Sequence, residues 1–161
     1  MAASAWQLYN SGKRYIGNGT ITLGAGNFKM ALARSTASAG VSTFTLSTFN
    51  QITSAGFEIS ATGGYTTGGK ALVPATGQWT VGASAKQMKF TYSSVGLTFT
   101  ASLAALNDIK YAIIHFGASA GTGATARKLL CFCQLSSSEF NVSSPNTLTV
   151  LPAGTGVFTL T

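Results

Sequence analysis

The chain has few charged residues, and very few of them are acidic. Charged residues make up 8% of its 161 residues, against about 25% in a typical soluble domain. The only acids are Glu58, Asp108 and Glu139, whereas ten residues are Lys or Arg, so the formal net charge is +7. Because charge keeps soluble monomers dispersed, a surface of Gly, Ser, Thr and Ala indicates a protein packed among neighbours.

The same shortage limits the chemistry that the chain can perform. Hydrolytic catalysis needs a base and usually an orienting carboxylate, but the only histidine, His115, lies in an apolar run that favours a strand. Glycoside cleavage needs two carboxylates, and no two of the three acids are neighbours. Two Cys, one His and three acids are also a thin supply of metal ligands. The composition therefore predicts a non-enzyme with no cofactor and no small-molecule substrate.

Two glycine-rich segments approach nucleotide-binding motifs without matching them. In the first, GYTTGGKA at 64–71, a P-loop would have Ser or Thr where Ala71 stands, and Pro74 blocks the helix that should follow. The second, GTGATA at 121–126, resembles a dinucleotide-binding pattern but precedes a strand-like run. Both segments are predicted to be turns or loops.

Two cysteines flank a phenylalanine in the stretch KLLCFCQLS. In a strand, Cys131 and Cys133 would face the same side about 7 Å apart, which exceeds the Cα separation that a disulfide normally spans. The chain supplies few further ligands for a metal. We therefore predict two reduced, buried thiols facing one core layer, with Phe132 facing the other.

No apolar run approaches the roughly 18 residues of a membrane span, so no membrane association is expected. The first ten residues also lack the basic and apolar regions of a signal peptide. We expect the protein to be made and kept in a cytoplasm unless a larger particle carries it out.

The basic residues are scattered along the sequence, with no run of five or six. This favours an acidic protein partner over nucleic acid. The segment KQMKFTY leaves an alternative open, a basic β-barrel that binds single-stranded nucleic acid, because Lys86, Lys89, Phe90 and Tyr92 lie close together in it. Strand alternation would separate Lys89 from Phe90 across a sheet, which weakens this alternative.

Short alternations of apolar residues with Thr, Ser or Lys dominate the chain, and turn residues bound them. They predict a single all-β domain over 1–161: an antiparallel β-sandwich, jelly roll or barrel of about nine to eleven strands. Two more continuously apolar runs, 109–116 and 128–135, should be central strands buried on both faces. The alternating runs are 20–23, 28–33, 42–47, 86–92, 96–100, 146–150 and 156–160.

Helical patterns are scarce. Residues 4–16 show helical spacing, weakened by Gly12, and would form a short helix in an N-terminal arm over 1–17. Residues 100–109 could hold one helical turn, and 46–55 is a weaker candidate. The Gly/Ala segment 117–126 is predicted to be a mobile loop.

Four segments, 8–33, 66–80, 109–117 and 128–150, resemble blocks of a family of small proteins from the structural gene clusters of tailed bacteriophages. These blocks are spread over nearly the whole chain, and the sequence departs from the family pattern at Cys133, where a different small or polar residue is usual. It implies a virion structural protein, foremost a head decoration (cement) protein. The implied partners are the major capsid protein and further copies of the chain in a dimer or trimer. The implied location is the virion capsid, and the host cytoplasm during assembly. A tail, adaptor or host-attachment component is the alternative.

The N-terminal segment combines aromatic and basic residues, which are enriched at protein interfaces. We therefore predict that it forms part of a contact surface, although Trp6 and Tyr9 could instead cap the protein's own core. The predicted contact residues are Trp6, Leu8, Tyr9, Lys13, Arg14 and Tyr15.

Overall fold

The computed structural model describes residues 4–24, 26–35, 40–73, 78–82, 86–117 and 127–160. Within them are two short helices and twelve strands, all paired antiparallel. The elements are β1 (Gln7–Leu8), α1 (Asn10–Gly17), β2 (Phe28–Ala33), α2 (Phe49–Ser54), β3 (Lys70–Ala71), β4 (Trp79–Val81), β5 (Met88–Phe90), β6 (Leu97–Thr100), β7 (Leu106–Ile109), β8 (Tyr111–Phe116), β9 (Lys128–Gln134), β10 (Phe140–Val142), β11 (Thr147–Val150) and β12 (Phe158–Leu160).

The predicted all-β antiparallel class is confirmed. One sheet has five strands in the order β1-β9-β8-β2-β3, and the others are β12-β5-β4, β11-β6 and β10-β7. In the described part of the chain these sheets do not close into a barrel. A sandwich or jelly roll stays a prediction. The strands outnumber the prediction partly because β1 and β3 are two-residue pairings too short to leave a sequence pattern.

The two continuously apolar runs form β8 and β9, in the middle of the five-stranded sheet. Their side chains alternate between two buried cores, so apolar residues are needed on both faces. Ile114 lies in the larger core, and Ile113 lies in the smaller core. The prediction that these strands are central and doubly buried is confirmed.

Different elements cover the two faces of the central sheet. The larger core contains side chains from the smaller sheets, such as Phe90, Leu97 and Leu106. The smaller core contains Phe49 and Ile52 from α2. The central sheet therefore lies between the smaller sheets and the segment that carries α2.

Two predicted strands, 20–23 and 42–47, are wrong, since both segments consist of turns and irregular backbone. Ile21 and Leu23 are buried in the larger core without pairing to a neighbouring strand. Alternate residues that are buried in an irregular segment therefore give the same apolar–polar alternation as a strand.

The helix predictions had mixed outcomes. The N-terminal helix begins at Asn10 rather than at residue 4, because Gln7 and Leu8 pair with β9. The weaker candidate is confirmed as α2, where the Gln51 side chain accepts a hydrogen bond from the Thr48 N–H at 3.0 Å. The predicted turn of helix in 100–109 is wrong. That segment contains β7 and a positive φ of 65° at Leu103, which a right-handed helix does not allow.

Gly12 is required where α1 crosses β9. A Cβ atom at this position would lie 2.5 Å from the carbonyl oxygen of Leu130. We expect Gly12→Ala to lower the free energy of unfolding by about 1–3 kcal/mol, although alanine is the better helix former. Gly17→Ala is the matched control, because a Cβ there meets no atom within 4 Å. Urea unfolding of both variants checks the prediction, and equal midpoints would contradict it.

Candidate protein-contact surface

Two of the six predicted contact residues belong to the protein's own core. Tyr9 is fully buried, and its hydroxyl donates a hydrogen bond to the Val41 carbonyl at 2.7 Å. Tyr15 is only 8% exposed and packs in the larger core. Tyr9 thus follows the alternative prediction, that it packs on the protein's own core. Because both tyrosines are buried, neither ring offers a face to a partner.

The other four predicted residues reach the surface to different degrees. Lys13 and Arg14 on α1 are exposed. Trp6 and Leu8 are half-buried and pack against the larger core. The structure thus brings the basic members of the set to the surface and uses the aromatic and aliphatic members mainly for packing.

Lys128 was missed by sequence reasoning and adjoins this segment. The Arg14 guanidinium carbon lies 5.2 Å from the centre of the Tyr15 ring, and the Lys128 ammonium nitrogen lies 5.5 Å from it. Both contacts are within the range of cation–π attraction. One buried ring therefore holds two cations that are more than 110 residues apart in the sequence.

Further cations gather at the same end of the central sheet. Cross-strand pairing sets Phe116 beside both Phe28 and Lys128, so the start of β2, the end of β8 and the start of β9 coincide. We call this region the cationic end. Its basic residues are Lys13, Arg14, Lys29, Lys70, Arg127 and Lys128.

A buried polar cluster lies beneath the cationic end. The Tyr65 hydroxyl and the Gly68 N–H both donate to Glu58 Oε1, at 2.7 and 2.5 Å. The Gly68 carbonyl lies 3.0 Å from His115 Nε2, so Nε2 must carry the hydrogen that is donated. The His115 ring stacks on Phe49, with ring centres 4.2 Å apart.

Burial shifts the pKa of both titratable groups toward the neutral form. Loss of solvent raises the pKa of Glu58, although its hydrogen bonds from Tyr65 and Gly68 oppose the shift. Burial, helped by the nearby charges of Arg127 and Lys29, lowers the pKa of His115 to about 4, although the hydrogen bond to the Gly68 carbonyl opposes the shift. Since His115 is fully buried and Glu58 nearly so, the geometry suits a structural network that fixes the glycine turn to the sheet.

The P-loop-like segment is a turn, as predicted. The Gly69 N–H donates to the Thr66 carbonyl at 2.9 Å, and strand β3 follows instead of a helix. Lys70 Nζ donates to the Thr98 carbonyl at 3.0 Å.

The other glycine-rich motif, 121–126, and the predicted mobile loop beyond Gly117 lie outside the described residues. Among the described residues, no group of three or more His, Cys, Asp or Glu could hold a metal ion.

The two thiols occupy the places predicted for them. Cys131 and Cys133 are free and buried in the larger core, while Phe132 lies in the smaller core. Burial raises the pKa of the Cys133 thiol to about 12 and that of Cys131 well above its ordinary value.

We expect neither thiol to react with a thiol reagent at neutral pH while the protein is folded, because thiolate is the reactive form. Cys133 lines a surface groove between residues 4–6 and 149–157 but is itself only 1% exposed. Absorbance titration with 5,5′-dithiobis(2-nitrobenzoic acid), before and after unfolding in guanidinium, should give no thiols and then two. Rapid labelling of the folded protein would contradict the prediction.

One face of the three-stranded sheet is apolar throughout. Trp79, Phe90 and Phe158 are paired across it, and so are Val81, Met88 and Leu160 two residues further along each strand. The first three pack on or within the larger core.

The second row extends beyond the core. Val81 is 64% exposed, Leu160 is 43% exposed, and Met88 is half-buried. We call Val81, Met88 and Leu160 the apolar ledge. Large apolar side chains adjoining one another on a surface are typical of interaction sites.

This arrangement also bears on the nucleic-acid alternative. Lys89 pairs with Thr80 and Thr159, on the face opposite Phe90. Phe90 is fully buried, and Tyr92 is buried with its hydroxyl bonded to the Val150 carbonyl at 3.1 Å. Neither ring can stack on a base without rearrangement, which weakens the prediction of a single-strand platform in KQMKFTY.

Comparison with protein-family models, curated proteins and solved structures finds no match to this chain. Neither helix in the described ranges is long and apolar enough to cross a membrane.

Proposed function

We propose that this protein is a virion structural protein of a tailed bacteriophage, a decoration (cement) protein that binds the outside of the head and stabilises the junctions between capsomers. The observation that carries the proposal is the apolar ledge, exposed on a surface with few charges. Such a surface is poorly suited to an isolated monomer and well suited to repeated contacts. The resemblance of four segments to phage structural proteins supports the same role.

The ledge is proposed to bind a second copy of the chain. The ledge runs across the whole three-stranded sheet, with Leu160 on β12, Met88 on β5 and Val81 on β4. Two copies can pack such identical faces against each other about a two-fold axis. That packing would cover Val81, Met88 and Leu160 of both copies. This contact would build the dimer, and a three-fold arrangement of the same surface would build a trimer.

The mechanism is area burial across several partners rather than chemistry. An oligomer that touches several capsid subunits multiplies weak contacts into avidity. The fold proposed with this role is a β-sandwich or jelly roll, which the packing of the smaller sheets on the central sheet supports.

Particle stability tests the decoration role. Phage particles lacking the protein should lose DNA at a lower temperature and after milder osmotic shock than complete ones, and adding the purified protein back should restore them. Unchanged resistance would refute cementing. Hundreds of copies per particle are expected, and a handful would instead indicate a tail, adaptor or host-attachment component.

A paired substitution tests the ledge. Val81→Lys combined with Leu160→Lys should lower the mass measured by light scattering to that of the monomer, because buried charges would face each other. Leu103→Lys is the control, since Leu103 is fully exposed and lies in the connection between β6 and β7, outside the three-stranded sheet. Retention of the oligomer by the double variant would refute this contact.

A further inference from the structure

The fold separates the charges that the sequence scatters. Six of the ten Lys and Arg residues lie at the cationic end, although they come from α1, β2, β3 and the region where β9 begins. The acid nearest to these cations is Glu58. The charge of Arg127 lowers the pKa of Glu58, but burial of the carboxyl outweighs this effect and leaves the pKa raised. The exposed cations there face no exposed carboxylate within the described residues.

Both exposed carboxylates lie at the opposite end of the central sheet. Glu139 accepts a hydrogen bond from the Ser35 N–H at 2.6 Å, just beyond the end of β2. The N–H of Lys110 donates to the Ala33 carbonyl at 2.9 Å, which places the neighbouring Asp108 at the same end. Six strand residues separate the two ends by about 17 Å. Because this exceeds the Debye length of about 8 Å at physiological salt, the acids scarcely offset the cationic end.

We propose that the cationic end binds an acidic protein surface. If the proposed function holds, that surface is the outer face of the capsid shell. An acidic shell would steer this end of the molecule inward, because opposite potentials speed and orient encounter. The acid-bearing end would then point away from the shell.

Protein is favoured over nucleic acid because, among the described residues, the rings that contact the cations of this end are buried. Tyr15 is buried and contacts Arg14 and Lys128, while Phe49 is fully buried beneath Arg127, whose guanidinium carbon lies 5.7 Å from the ring centre. Single-strand binding sites stack bases on exposed rings. The cations also project from both faces of the sheet, since Lys29 lies across from His115 whereas Lys128 reaches Tyr15. This is a broad patch rather than a groove that follows one strand.

The test uses the full chain and poly-L-glutamate as an acidic polypeptide probe. The triple variant Lys13→Glu, Arg14→Glu, Lys128→Glu changes the cationic end without touching Arg127 or Lys29 beside the buried cluster. A matched triple, Lys86→Glu, Lys89→Glu, Lys110→Glu, changes cations elsewhere, since Lys86 and Lys89 lie in or just before β5 and Lys110 lies at the opposite end of the central sheet. Each triple lowers the formal net charge from +7 to +1.

Fluorescence anisotropy at 50 mM and 150 mM salt should show at least about tenfold weaker binding for the cationic-end triple and less than about threefold for the matched triple. Equal losses would mean that net charge alone attracts the probe and would overturn the proposal. Tighter binding of oligo-dT than of polyglutamate, lost in the same triple, would assign the site to nucleic acid and also overturn it. Lys13→Gln with Arg14→Gln provides a milder variant if the triple unfolds. If the cationic end binds polyglutamate as expected but particles lacking the protein are as stable as complete ones, the cementing role is refuted and the binding site stands.

Discussion

Replacing Gly69 with alanine is expected to lower the free energy of unfolding by about 2–5 kcal/mol. Gly69 has φ of 73°, a left-handed conformation that costs other residues about 1–2 kcal/mol. A Cβ there would also overlap the Met30 carbonyl and lie 2.7 Å from the Cα of Ala31, and backbone atoms cannot rotate aside. Overpacking of this kind typically costs a further 1–3 kcal/mol or so.

A graded set of glycine variants separates the two causes. Gly68→Ala shares the left-handed conformation, with φ of 87°, but its Cβ would meet only the movable end of the Arg127 side chain, at 2.6 Å. It should lose about 1–2 kcal/mol. Gly154→Ala meets nothing within 4 Å and should be close to neutral. Urea unfolding should rank Gly69 as the most sensitive site. An unfolding midpoint for Gly69→Ala equal to that of Gly154→Ala would contradict the close approach of Gly69 to the backbone of β2.

Acidification from pH 6.5 to about 4 is expected to cost up to about 3 kcal/mol of stability through His115. Its folded pKa of about 4 lies below the ordinary value of 6.5, so the unfolded chain binds a proton in this window and the folded protein does not. The stabilisation is fully present above pH 6.5, falls as the pH drops, and levels off below about 4. The physical cause is burial beside Phe49, with Lys29 and Arg127 adding repulsion.

Glu58 changes the stability in the opposite direction as the pH falls, so its contribution must be distinguished from that of His115. Because its pKa is raised in the folded state, protonation of Glu58 favours the folded protein as the pH falls. The test therefore compares urea unfolding of the wild type and His115→Gln from pH 7 to 4. Glutamine can still donate to the Gly68 carbonyl but does not titrate. The wild type should lose more stability than the variant, and parallel profiles would contradict the prediction. If the variant does not fold, NMR titration of the His115 ring in the wild type gives its pKa directly.

The sequence predicts what depends on local pattern. Alternation and continuous apolar runs identify β2, β8 and β9, and the spacing of Cys131 and Cys133 correctly places both thiols in one layer. Irregular segments mislead this reasoning where they bury alternate residues, as Ile21 and Leu23 do. A buried side chain alone does not reveal whether its backbone has a strand partner.

The sequence does not predict features that depend on contacts between residues far apart in the chain. From the sequence alone, Gly12 only weakens the prediction of a helix. The structure shows that glycine is required there, because the Leu130 carbonyl leaves no room for a Cβ atom. Arg14 and Lys128 are far apart in sequence, so only the fold shows that they share the Tyr15 ring. Composition therefore predicted Lys13 and Arg14 in the proposed contact surface, but not the cations that join them from β2, β3 and the start of β9.

The pairing of β1 with β9 constrains how the molecule can fold during synthesis. Residues 7–8 pair with residues 131–132, and β2 pairs with β8 across about half of the chain. Such long-range closure is entropically slow. The central sheet therefore cannot assemble on the ribosome until β9 has emerged, and until then the apolar strands β2 and β8 lack their full cover. Chaperone demand and yield on expression should depend strongly on translation rate and temperature.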